Sequence, residues 1–336
     1  MPARRFHSAR KIGKHALYSA GAAGVFLALL ILVLNFSKPQ TPQMNATNVV
    51  IVAPHSGSQQ IIGSLKNQGY IEHPFFVRIA LAIAGIFKKI EAGGYYLTRG
   101  MSDWDIFNSL ANPSLRYVYI APGMRKQEIA DVVGNTLNWD MVKKRELVNV
   151  NMDFNLNDLE GKYYPGTYLF PLNANPQDVG KEMTANYAKE INLLSKKYPK
   201  ATVNYDTALL IASIIQREAA GPEDMRLISG IIWNRIFKGM SLEMDATVQY
   251  ARGKTESGWW APLKASDIKA IDSPYNTYKN GGLPPTPISN PGPDAIEAAL
   301  NPQKTNCLFY IHDRNRTIHC SATYEEHVRN INAYLK

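Results

Sequence analysis

Residues 16–36 run without a charge and are rich in Ala, Leu, Val and Ile. As a helix this 21-residue run would be about 32 Å long at roughly 1.5 Å per residue, the thickness of a bilayer core. Five Lys or Arg side chains precede it and one follows. That bias predicts a single membrane-spanning helix with its amino terminus in the cytoplasm. A cleaved leader is the alternative, but Leu34-Asn35-Phe36-Ser37-Lys38 offers no small-x-small cleavage site. A second apolar stretch, residues 75–87, is shorter and carries Arg78. It is expected to form a buried helix rather than a second span.

Beyond a polar, Pro-containing linker at residues 37–48, one pattern comes three times. β-Branched or aromatic runs at 49–53, 95–98 and 117–121 each lead through a short turn into helical spacing. The helical copies begin around Ile61, Ile106 and Ile129. Gly100 and Gly123 lie six residues before Ile106 and Ile129, and His55 stands at the same distance before Ile61. Small strand-then-helix units of this kind pack helices on a short sheet, so residues 49–115 are expected to be a small α+β module. Residues 178–198 show an amphipathic helical pattern and residues 324–335 a closing helix. Residues 241–248 alternate polar and apolar, which predicts a strand with Ser241, Glu243, Asp245 and Thr247 on one face.

Composition narrows the function classes. The net charge of +9 suggests nucleic acid, but residues 1–38 hold six basic side chains and no acid, leaving +3 for the rest. The basic excess belongs to a tail, and nucleic acid is not an expected partner. Two cysteines are too few for a disulfide framework or a four-thiolate zinc site. Cys307 and Cys320 flank a predicted hairpin around Asp313-Arg314-Asn315-Arg316. An oxidising compartment permits a bridge between them, while their diagonal offset across the hairpin disfavours one. His312 and His319 read as strand residues of the same hairpin, and no neighbouring residues complete a metal set. Gly253-Lys254-Thr255 imitates the end of a phosphate loop, but Val248 stands where its first glycine belongs.

The segment from Asp206 to Lys238 carries the candidate chemistry. Ile211, Ile214, Ile215 and Glu218 fall at i, i+3, i+4 and i+7, which puts a carboxylate on an apolar helix stripe. Such a group must be paired, protonated or exposed in a cleft. Gly221-Pro222 stops that helix and starts another, which would bring Asn234 and Arg235 towards the same seam. Two readings stay open here. Desolvation raises a carboxyl pKa and makes Glu218 a proton donor near neutrality, suited to glycosidic bond cleavage. Alternatively, Glu218 and Arg235 form a buried structural ion pair. Downstream, Trp259, Trp260, Tyr275 and Tyr278 precede a Pro-rich loop at residues 281–292. These rings suit the faces of sugars, though aromatic side chains more often belong to a core.

Several segments together resemble a known family. They are Ala212-Ser213-Ile214-Ile215-Gln216-Arg217-Glu218, Asn234-Arg235, Asp245-Ala246-Thr247-Val248, Ser273-Pro274-Tyr275-Asn276-Thr277-Tyr278 and Gly282-Leu283-Pro284-Pro285 with Ser289-Asn290-Pro291-Gly292. In this order they are similar to the YceG-like endolytic murein transglycosylases (MltG). Tyr164-Pro165-Gly166-Thr167-Tyr168 and Glu325-Glu326-His327 fit as well, so the likeness runs from about residue 95 to 335. Gln216 and Ala246 depart from it, standing where an acid and a proline are common in the family.

The resemblance implies an α+β protein made of five parts. They are a cytoplasmic tail (1–15), a transmembrane helix (16–36), a linker (37–48), a LysM-like module (49–115) and a catalytic transglycosylase domain (116–336). It implies cleavage of the β-1,4 bond between N-acetylmuramic acid and N-acetylglucosamine within nascent strands, giving 1,6-anhydro ends and limiting glycan length. The family's catalytic acid falls on Glu218. Asn234, Asp245, Thr247, Tyr275, Asn276 and Tyr278 are the expected substrate-positioning residues, and neither a metal nor a cofactor is expected. Expected partners are peptidoglycan strands, the cytoplasmic membrane and peptidoglycan synthases, with the catalytic domain in the periplasm. Two rivals remain: a non-catalytic glycan-binding scaffold, and a hydrolase that uses Asp245 or Glu243 as a second carboxylate.

Overall fold

The computed structural model describes residues 48–83, 85, 90–149, 159–199 and 203–335. The basic tail, the apolar run at 16–36 and all but the last residue of the linker lie outside the described residues. Among the described residues no helix is long and apolar enough to cross a membrane. The fold is mixed α+β, and the chain divides into two compact units, one up to Arg116 and one from Tyr117 onward.

The first unit is built from β1 (Asn48–Val52), α1 (Ser58–Asn67), α2 (Pro74–Ile83), β2 (Gly93–Leu97) and α3 (Asp103–Ser109). β1 and β2 pair antiparallel with Val50 opposite Tyr95. The period-2 pattern turns Val50 and Val52 inward and leaves Val49 and Ile51 exposed. Leu65, Leu81, Tyr95, Leu97, Ile106 and Leu110 close the core, all at 1% exposure or less. Gly93 permits a close approach, because a side chain there would collide with the Leu115 carbonyl. The helix expected at 75–87 is half-exposed rather than buried. Only Val77 and Leu81 point inward, while Phe75, Ile79 and Ile83 face out.

The three strand–turn–helix copies share a backbone device. His55, Gly100 and Gly123 all adopt positive φ, at 65°, 90° and 86°. Each lies three residues before the first residue of a helix, so the chain reverses through the left-handed region at the same step. Glycine makes that turn without strain in two copies, and His55 makes it with a Cβ in the third.

The second unit begins within β3 (Leu115–Ile120) and continues through α4 (Lys126–Thr136), α5 (Met141–Val148), β4 (Gly166–Pro171) and α6 (Pro176–Lys197). β3 lies beside β4 in strand order. Val118, Ile129, Val133, Leu147, Tyr163, Phe170 and Met183 form the core of this part. A second core is assembled from α7 (Tyr205–Glu218), α8 (Pro222–Phe237), α9 (Asp245–Arg252) and α11 (Pro293–Leu300), with the short α10 (Ala265–Ala270) outside it. Ile211, Ile214, Ile215, Ile228, Ile232 and Ile296 meet there. Asn204 caps α7 by accepting from the Thr207 N–H at 2.7 Å. α11 is rich in alanine, which lets it pack closely on α7 and α8. The hairpin β5 (Phe309–His312) and β6 (Ile318–Ser321) and α12 (Tyr324–Tyr334) complete the chain.

Two expectations are corrected here. The alternation at 241–248 is not a strand. Its first half is irregular, with Glu243 in the left-handed region at φ 53° and Leu242 and Met244 turned inward. The Glu243 and Met244 N–H groups donate to Thr277 rather than to a neighbouring strand. At Asp245 the chain enters α9, where Ala246 and Tyr250 are buried with helical spacing. The second correction is the disulfide: Cys307 and Cys320 are joined, with Cα atoms 5.8 Å apart. Leu308 and Phe309 both oppose Ser321, two residues against one as at a β-bulge. Cys307 lies before β5, so the hairpin ladder does not hold it at the diagonal offset expected.

Candidate active site

Glu218 is the last residue of α7, at the end of the stripe formed by Ile211, Ile214 and Ile215. Those three are wholly buried, and Glu218 is half-buried where the helix stops. The next helix starts at once, because Gly221 and Pro222 break α7 and Asp224 caps α8 through the Ala220 and Gly221 N–H groups at 3.0 and 3.3 Å. One Glu218 oxygen, Oε2, accepts a hydrogen bond from the Tyr310 hydroxyl at 2.7 Å. The other, Oε1, faces the Ala246 N–H at 3.4 Å in the first turn of α9.

Burial pushes the Glu218 carboxyl above the usual carboxylate range. The Tyr310 and Ala246 hydrogen bonds act in the opposite direction, and the nearby charge of Asp245 adds to the rise. Glu218 has no cationic partner within ion-pair distance among the described residues. Arg235, the expected structural mate, pairs instead with Glu243 and lies under the Phe309 ring. The ion-pair reading of Glu218 therefore falls, and what remains is a carboxyl at a partly open position whose neutral form burial favours. Tyr310 is itself held far above its ordinary pKa by burial and by the Glu218 charge, so its hydroxyl stays a donor.

The other candidate residues divide into two groups. Asp245 is exposed and accepts from the Tyr278 hydroxyl at 2.7 Å, and its charge reaches Glu218. Burial, and then the Asp245 carboxylate, raise the Tyr278 phenol, keeping it protonated. Tyr275 is half-buried, its hydroxyl 2.7 Å from Thr286 Oγ1 on the Pro-rich loop and its ring 4.8 Å from Tyr250. These three remain close enough to the surface to meet a ligand.

Thr247 and Asn276 do not. Thr247 and Asn276 are 0% exposed. Thr247 donates to the Met244 carbonyl and sits 2.9 Å from Thr277 Oγ1. Asn276 donates to the carbonyls of Ile268 and Ile271. Asn234 donates to the carbonyls of Thr305 and Cys307, fixing the approach to β5. For Thr247 and Asn276 the expected contact with substrate gives way to an internal role, because both are wholly buried and hydrogen-bonded inside the fold, whereas Asn234 is half-buried like Tyr275 and Tyr278.

Sequence reasoning missed Tyr310, Asp224 and His312. Tyr310 and His312 share one face of β5 at i and i+2, with ring centroids 5.8 Å apart, and His312 Nε2 lies 2.6 Å from Asp224 Oδ2. That spacing was visible in Phe309-Tyr310-Ile311-His312, but nothing in it pointed to a helix end 92 residues earlier. A pocket lined by Ala220, Gly221, Asp224, Arg316 and Thr317, among others, opens at the Asp224 cap. Among the described residues no group of three His, Cys, Asp or Glu side chains converges as a metal site would.

The profile of the YceG-like family matches residues 50–333, a stretch that includes every group placed around Glu218. The chain belongs to the YceG-like family. It is 31% identical over 313 residues to a Bacillus subtilis protein named endolytic murein transglycosylase, covering 86% of this chain and 85% of that one. A Streptococcus pneumoniae protein of the same name is 26% identical over 318 residues, 84% of this chain, which spans 58% of that relative's length. A crystal structure of a YceG-like protein from Listeria monocytogenes superposes with a TM-score of 0.59 at 26% identity, covering 84% of this chain and 98% of that one.

Proposed function

We propose that this YceG-like protein is a lytic transglycosylase that cuts within murein glycan strands. The observation that carries the reading is the single half-buried carboxyl of Glu218, pushed up by desolvation, without a cation and hydrogen-bonded to a phenol. A protonated Glu218 gives its proton to O4 of the departing N-acetylglucosamine as the bond from that oxygen to muramic C1 breaks. The resulting carboxylate accepts a hydrogen bond from Tyr310, which stabilises the charge that this step creates. It then takes the proton from the muramic 6-hydroxyl as O6 closes on C1. Glu218 ends as it began, no water is consumed, and one strand becomes two, one with a 1,6-anhydro end. The Asp245 carboxylate, oriented by Tyr278, faces the positive charge that develops at C1.

The hydrolase alternative needs a second free carboxylate as base. Glu243 is taken up by Arg235, which leaves only Asp245 for that work. Mass spectrometry of products from purified murein separates the two schemes, since anhydro ends are one water lighter than reducing ends. Reducing ends alone would overturn the lytic mechanism, and absence of soluble product with retained glycan binding would favour the scaffold.

The same reading includes a cellular arrangement. The apolar run at 16–36 anchors the chain in the cytoplasmic membrane, with the enzyme on the periplasmic side beside the synthases that make new strands. The order β1, α1, α2, β2 supports a LysM-like, glycan-binding role for the first unit. Protease protection of epitope tags placed at either end of the chain in spheroplasts tests the orientation.

A further inference from the structure

Four arginines of the second unit are largely withdrawn from water, and three of them have partners. Arg125 donates to the Tyr250 carbonyl, Arg235 pairs with Glu243, and Arg252 donates to the Pro262 carbonyl and to Asp267. Arg217 differs. It forms no hydrogen bond or ion pair among the described residues; its Nε is buried without a partner, as are those of Arg125, Arg235 and Arg252. Its guanidinium carbon lies over the Trp260 ring, 3.9 Å from the centroid. Trp260 is locked in turn by its Nε1–H, which donates to Glu128 at 2.8 Å. Beneath the guanidinium is Gly123, where even a methyl group would come within 3.1 Å of Nη1. The cation is thus held in place by a ring and a glycine, beside Glu218 in sequence and within reach of its charge.

A guanidinium stacked on an aromatic face keeps its in-plane donors free, and their fork matches the two oxygens of a carboxylate. Leaving such a cation half-desolvated and unpaired is unfavourable, and burial indeed pulls its pKa below the ordinary arginine value. The sugar ring offers hydroxyls and amides, whereas the lactyl group and peptide stems of murein carry carboxylates. We propose that Arg217, backed by Trp260, is a carboxylate-recognition site that reads an acidic group attached to the glycan strand next to the bond being cut. The inference rests on the murein-cleaving reading, and names which part of that substrate the enzyme selects.

The test compares full-length enzyme with its Arg217→Gln and Arg217→Lys variants on three purified strand preparations. The first carries native peptide stems, the second has its stem carboxylates converted to amides, and the third is stripped by an amidase and exposes the lactyl carboxylate. Wild-type kcat/KM is expected to fall about tenfold when the recognised carboxylate is lost, the scale of one charge-assisted contact. Loss on amidation places the ligand on the stem, and preference for stripped strands places it on the lactyl group. R217Q should abolish whichever preference the wild type shows, with R217K intermediate because an ammonium cannot stack and fork together. Equal wild-type rates on all three preparations would overturn the proposal, as would an R217Q loss that is uniform across them. The wild-type comparison stands even if a variant fails to fold. No anhydro product from wild type on any strand would instead sink the underlying activity.

Discussion

Two carboxyl groups of the second unit are pushed up by the same force and do different work. Glu160 is 0% exposed, and burial raises it to about 7. Around it stand donors that all belong to the protein: the Lys126 N–H and Asn290 Nδ2 at 3.0 Å and the Tyr250 hydroxyl at 3.1 Å. Asn290 also takes the Tyr163 N–H at 2.7 Å and donates to the Met124 carbonyl, so this network fastens the Pro-rich loop to the start of α4. Glu218 has one phenol, one distant amide and an open side. Desolvation by itself therefore does not mark a reactive acid. The difference lies in whether the fold has already spent the lone pairs.

Removing each carboxyl should give opposite phenotypes. Glu218→Gln is expected to lower turnover by at least about 10³-fold with little change in stability, because the proton donor is lost while shape is kept. Product formation and thermal melts on the same preparation check both halves. Retained turnover in E218Q would erase the contrast. Glu160→Ala should cost about 3–5 kcal/mol of unfolding free energy, at roughly 1–3 kcal/mol for each buried donor left stranded. Urea denaturation reads it, and a change below 1 kcal/mol would show that Glu160 is not the clasp described.

A third expectation concerns pH. Glu160 holds its proton up to about 7 in the fold, against 4.5 for the ordinary side chain. Between those values the native state binds more protons than the unfolded chain, so stability falls as pH rises and levels off above about 7. The loss is on the order of 3 kcal/mol across that window. Glu218 adds a slope of the same sign. Melting wild type and Glu160→Gln from pH 5 to 8 isolates the Glu160 part, and parallel curves would contradict it. The smallest effect is expected from Tyr310→Phe, a drop in turnover of about tenfold. Without its phenol the Glu218 carboxylate is less favoured, so its pKa rises further. The alkaline limb of the pH–rate profile should then move to higher pH. An unmoved limb would mean that Tyr310 does not act on the acid.

How much of this was legible varied with the range of the signal. The helix that carries Glu218 is written in a 3.6-residue period, and its end in Gly221-Pro222, so both could be read locally. The shared turn of the three strand–helix copies was also local, since a left-handed backbone step favours glycine. The stretch at 241–248 failed because polar/apolar alternation reveals neither the left-handed step at Glu243 nor whether a neighbouring strand exists to pair with it. Here Thr277 took the backbone donors, and the helix at Asp245 kept the alternation going by coincidence. Glu160 sits beside Gly161 and Lys162, a polar stretch with no sign of burial, and the Asn290 that clasps it is 130 residues away.

The sequence by itself determined most of the elements, the acid at a helix end and the family, because propensity, periodicity and motif order act over a few residues at a time. Only the tertiary structure decided that Arg235 turns to Glu243 and not to Glu218. Likewise it set Tyr310 against the acid, joined Cys307 to Cys320 and laid Arg217 over Trp260 without a direct ion pair among the described residues. Those outcomes depend on which groups lose water together when distant segments pack, and desolvation is a property of the assembled fold rather than of any stretch of chain.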